Sequence, residues 1–203
     1  RLLLTVVAGA IALVFAGGFA FRSAQVEESI RFFDAANTVG FPSALLWQRG
    51  ISLYYAGRFA EGAAQFRKDV ELNPNDTEEA IWAMLCEAPQ LGFEAARSRI
   101  QAVGEDPRPV MRTVYELFRG GKGEAAAREL LERRARGDGD AMEAFYAALY
   151  LGLYAEAKGQ NPMARAWLER AVASEYARTG WDYMVDLARV HMRLRGWESN
   201  EGR

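Results

Sequence analysis

The sequence predicts an all-α chain, with one long apolar helix at the N-terminal end followed by paired helices throughout. Three observations carry this prediction. No stretch sustains the period-2 alternation of a half-buried strand. Gly, Pro and Asp come in short groups that separate segments of helix length. Within those segments small and apolar residues recur at helical spacing, as in "RGISLYYAGRFAEGAAQF" from Arg49 to Phe66.

The first element is "LLLTVVAGAIALVFAGGFAF", Leu2 to Phe21, an uncharged run bounded by Arg1 and Arg22. At 1.5 Å per residue a helix of this length spans roughly 30 Å, the thickness of a bilayer's hydrocarbon core. The expectation is a single-pass transmembrane anchor over residues 1–22, with a signal peptide cleaved after Ala20 as the competing reading. Ala8, Ala12, Ala16 and Ala20 recur every four residues, the small-residue stripe that lets another membrane helix pack closely.

After Arg22 come amphipathic segments. "VEESIRFFDAAN" places Ile30, Phe33 and Ala36 on one side. Pro42-Ser43 opens the next helix and Gly57-Arg58 closes it. In "NPNDTEEA" Pro74 stops one helix, while Asp76 with Glu79 three residues on reads as a capping box that starts another. Further helices are expected over 79–88, 92–103, 108–119, 123–136, 140–158, 162–177 and 181–195.

Spacing shows internal repetition. From Trp47 to Pro74 the order is aromatic, glycine, tyrosine pair, turn glycine, aromatic, small, aromatic, proline. Gly50 to Gly152, Gly57 to Gly159 and Gly62 to Ala164 are each 102 residues apart, three periods of 34. These stretches resemble the tetratricopeptide repeat, a helix-turn-helix unit. The resemblance assigns Gly50 to the crossing of two helices, Gly57 to the turn, and Phe59, Gly62 and Phe66 to the packing positions of the second helix. Pro74 matches the terminator. Asp69 departs from the pattern, which expects a small residue there. The units between, about 77–106 and 107–138, keep the helix lengths and lose the consensus residues.

The organisation expected is therefore an anchor (1–22), a leading half-repeat (23–42), a solenoid of about four units (43–195) and a tail (196–203). A narrower similarity links residues 45–90, and more weakly 141–195, to bacterial repeat lipoproteins that recruit proteases and cell-wall hydrolases, and to repeat proteins of chloroplasts. No cysteine lies near residue 20, so lipidation is not expected.

The resemblance implies a binding protein. In this family the first helix of each unit lines a groove, which would place Trp47, Ile51, Tyr54 and Tyr55, and Tyr146, Leu149 and Leu153, on a protein-binding face. The Lys and Asn residues that clamp a terminal carboxylate in chaperone-binding members are absent from these positions.

Nothing in the chain points to catalysis, a metal or a cofactor. His191 is the single histidine and Cys86 the single cysteine, too few for a structural metal site. "GGKGE" at 120–124 lacks the remainder of a phosphate loop, and "GDGD" at 137–140 the further ligands of a calcium loop. A net charge of −2 leaves no basic footprint for nucleic acid. The expected partners are other protein subunits, with a membrane met through Leu2 to Phe21. The function implied is an anchored scaffold, an accessory or assembly subunit of a membrane complex in the thylakoid or on a periplasmic face. A transient adaptor delivering substrates to a protease or hydrolase is the alternative.

Overall fold

In a computed structural model the chain is helical throughout its described residues, 2–198, with side chains described from residue 7. Twelve helices are present among them: α1 (Leu2–Arg22), α2 (Val26–Thr38), α3 (Trp47–Tyr55), α4 (Phe59–Leu72), α5 (Thr77–Leu91), α6 (Phe93–Arg97), α7 (Pro109–Arg119), α8 (Glu124–Ala135), α9 (Ala141–Ala157), α10 (Asn161–Ala173), α11 (Glu175–Thr179) and α12 (Tyr183–Leu194). A single 3₁₀ turn, Ser43–Leu45, precedes α3. The chain forms two compact units, Arg1–Glu105 and Asp106–Arg203.

Three helical hairpins are built on one plan. In α3–α4 a Cβ added to Gly50 would lie 2.7 Å from the Phe66 ring, so only glycine lets the helices cross there. In α9–α10 a Cβ on Gly152 would meet Leu168 at the same 2.7 Å, and in α1–α2 one on Gly17 would meet Phe33 at 2.8 Å. Each glycine stands sixteen residues before the side chain that fills its place. The turns match as well. Gly57 and Gly159 both have φ +73°, and the corresponding turn residue after α1 is Ala24, the one non-glycine with positive φ among the described residues, at +61°. Small buried residues follow at equivalent places on the second helices: Ser29, Gly62 and Ala164.

This plan corrects the expectation for the N-terminal segment. Among the described residues no helix is long and apolar enough to cross a membrane, which overturns the single-pass anchor over Leu2 to Phe21. Leu2 to Val6, part of the expected span, lie outside the described side chains. Nor is the helix unpartnered. Ala10, Gly17, Ala20 and Phe21 are buried, with α2 packed along α1. The segment is the first helix of a hairpin whose second helix, α2, the sequence displays in "SIRFFDAA". Membrane localisation, and with it the thylakoid and periplasmic-face placements, loses its basis.

Within the first unit the hairpins are joined by polar ties. Ser29 and Ser52 share a buried hydroxyl hydrogen bond of 2.9 Å. Arg49 Nε donates to Asp34 at 2.6 Å. The ring of Phe21 lies 5.8 Å from that of Tyr55. Elsewhere the helices depart from the expected bounds for local reasons. The segment expected as 92–103 is helical only to Arg97, and the following loop is held where Gly104 N donates to Pro74 O at 2.7 Å. The segment expected as 162–177 breaks at Ser174, whose side chain caps the short α11 by accepting from Ala177 N.

The capping box at α5 is half formed. Asp76 accepts from Glu78 N at 3.0 Å, as an N-cap does. Glu79 does not close the box: its carboxyl is buried between helices, while the Asp76 N–H donates to Asn73 O.

Candidate functional site

The residues expected to line a groove are mostly interior. Ile51, Leu149 and Leu153 have no exposure, and Tyr54 and Tyr146 are buried, while Trp47 and Tyr55 are half-buried. Tyr54 packs edge-on to Trp82 at 5.4 Å and to Tyr55 at 5.1 Å. Tyr146 donates its hydroxyl to Asp182 at 2.6 Å and stacks on Tyr150 at 6.4 Å. These side chains fill the seams between neighbouring helices. Sequence periodicity identifies the stripe that faces an adjacent helix. It does not tell that stripe from one that faces a ligand.

The other two single-copy residues are interior too. Cys86 is buried, and burial pushes its thiol well above the usual range; its Sγ would lie 2.8 Å from a Cβ at Gly62. His191 is buried beside Glu156, at 3.4 Å, and Trp197, at 5.5 Å between rings. Burial lowers its pKa. Among the described residues there is no group of three or more side chains suited to hold a metal ion.

Among the described residues, α1 carries four exposed large apolar side chains in one row. Val7 is 48 % exposed, Ile11 43 %, Phe15 74 % and Phe19 69 %. Spaced by four, they form one ridge over three turns on the side away from α2. Beside the ridge run Ala8 and Ala12, both exposed, and Ala16, half-buried; Ala20 is buried against the hairpin. The alanine stripe is thus mostly a shallow furrow next to a phenylalanine ridge. From Val7 to Phe21 no residue of the helix is charged.

The second unit has an open cleft of about 620 Å³ where α8 ends and α9 begins. Its walls include Ala135, Ala141, Ala144 and Ala173, with Arg136 and Arg170 at its edge. Both arginines are engaged, Arg136 with Glu132 at 3.2 Å and Arg170 with Ala135 O at 3.3 Å. Trp181, in the α11–α12 loop, is 97 % exposed.

Compared with known proteins, the chain matches no family model and no curated sequence. The outer face of α1 is the candidate site on its geometry alone.

Proposed function

We propose that this chain is a helical-repeat scaffold of the tetratricopeptide type that binds another protein, an assembly subunit rather than a catalyst. The observation that carries the reading is the exposed ridge Val7, Ile11, Phe15 and Phe19. A contiguous apolar patch of this kind on a folded chain marks an interaction surface. Its occupant is a helix of another protein. A ridge and a furrow side by side at i, i+4 spacing are the two halves of helix-on-helix packing. Covering the two phenylalanines removes on the order of 300 Å² from water, roughly 7 kcal/mol before the costs of association. The three hairpins built on Gly17, Gly50 and Gly152 support the repeat assignment.

A photo-crosslinking residue at Phe15 or Phe19 of the full chain, in a native extract, tests this. The expected result is one protein adduct of constant mass, absent when the probe replaces the exposed Ala126 on α8. Adducts of no defined mass, or the same adducts from both positions, would sink it.

A further inference from the structure

The α4–α5 seam contains a rung that no packing argument explains. The helices run antiparallel, so as the index rises on one it falls on the other. Gly62 faces Cys86, and Phe66 stacks on Trp82 at 6.1 Å with 26° between ring planes. The next rung is Asp69 with Glu79, each nine-tenths buried or more. At the equivalent place the other two hairpins carry Ala36 and Ala171, both fully buried. The α3–α4 hairpin has put a carboxyl where its siblings hold a methyl group, and a second buried carboxyl, Glu79, lies on α5.

The partners of this rung are few. Asp69 accepts from Gln65 Nε2 at 2.9 and 3.2 Å, and the same amide donates to Ser43 O at 2.6 Å. Glu79 Oε2 is buried without a hydrogen-bond partner. The charges that bear on Glu79 are Asp69 from α4, Asp76 at the N-cap and Glu78 from its own helix, all acidic. On Asp69 the charge is Lys68, which donates to Ser43 Oγ at 2.7 Å. An ionised carboxylate only accepts, whereas a protonated one also donates. Two carboxylates buried together repel unless at least one is protonated.

We propose that Asp69 and Glu79 form a proton-controlled latch, closed while the rung is protonated and loosened when it ionises, freeing α4 from α5. Ionisation would bare the aromatic cluster behind it, Tyr54, Phe66 and Trp82. Burial, opposed by the Gln65 hydrogen bond, pushes Asp69 up to about 7. Burial and the neighbouring acids push Glu79 up to about 9. Both groups ionise near 4 in an unfolded chain, so the folded state holds the extra protons. The stability this pair contributes is therefore full below pH about 4 and declines as pH rises towards about 9, the reverse of an ordinary salt-bridged acid. The inference does not depend on what docks on α1.

Hydrogen exchange of the full chain at pH 6 and pH 9, corrected for the intrinsic exchange rate, tests it. Protection of amides in 62–86 is expected to fall about tenfold or more at the higher pH, with α9–α10 unchanged. Glu79→Gln, which leaves Asp69 alone to ionise, should lose clearly less protection than the wild type over the same pH change. Asp69→Ala, which installs the residue that Ala36 and Ala171 already represent, reads the same effect if Glu79→Gln fails to fold. An equal fall in wild type and variants, no fall in wild type, or loss spread over all helices would each overturn the latch.

Discussion

The hairpins α3–α4 and α9–α10 share a skeleton, and one buried difference between them is a carboxyl. Gly50 receives Phe66 as Gly152 receives Leu168, and Gly57 and Gly159 turn with the same φ of +73°. Asp69, however, stands where the other has Ala171. The skeleton is set by sterics: a missing Cβ allows the helices to cross, and a positive φ allows the chain to reverse. Neither requirement restricts the position one turn further on, provided the side chain fits. A common fold can therefore acquire a titratable group without losing its geometry. The third hairpin, α1–α2, sharpens the point, since Ala24 adopts at the turn a conformation its siblings leave to glycine.

The largest expected effect comes from breaking the shared crossing. Gly50→Val and Gly152→Val should each destabilise by about 3 kcal/mol, because the new side chain lands on Phe66 or Leu168. Adding Phe66→Ala or Leu168→Ala should recover part of that loss, so that each double variant is less destabilised than the sum of its singles. Strict additivity in denaturant midpoints would show that the pairs do not meet.

Exchanging the point of difference comes next. Ala171→Asp should cost about 2–3 kcal/mol at pH 8 and less at pH 4, where the carboxyl is neutral. Asp69→Ala should stabilise by about 1–2 kcal/mol at pH 8 and have little effect at pH 4. Unfolding curves at the two pH values read both. If Asp69→Ala destabilises more at pH 8 than at pH 4, the buried carboxylate is being stabilised by something other than its proton.

The turns give smaller and more equal effects. Gly57→Ala and Gly159→Ala should each cost about 1 kcal/mol, as nothing crowds either Cβ position and only the backbone φ opposes it. Ala24→Gly should run the other way, stabilising by up to about 1 kcal/mol through release of left-handed strain. A destabilised Ala24→Gly chain would separate the first hairpin from the other two. Least of all in stability should be Phe15→Ser with Phe19→Ser, within about 0.5 kcal/mol by thermal unfolding, since those rings are exposed. With the probe moved to Ile11 on the same ridge, the double change should abolish the crosslinked adduct.

How much was legible depended on what each residue answers to. The register of Gly50, Gly57 and Gly62 against Gly152, Gly159 and Ala164 is visible in sequence because close crossings and turns accept few residue types. The burial of Cys86 follows from its apolar neighbours. Other features answer to partners that sequence spacing does not name. Tyr54 and Tyr146 look alike whether they line a groove or wedge between helices, and the structure wedges them. Glu79 meets every local requirement of a capping box, yet tertiary burial draws it away. The apolarity of Leu2 to Phe21 suits a bilayer as well as a hairpin, and Phe33 lying over Gly17 is what distinguishes them.

The sequence by itself determined the helices, their turns and the places where two of them cross, because those depend on backbone sterics within a few residues. The tertiary structure alone decided which apolar faces are covered, which stripe of α1 stays bare, and that two acids sixty-nine and seventy-nine residues along the chain share one dry seam. Burial and electrostatic coupling are properties of neighbours in space, and neighbours in space are what a folded chain chooses.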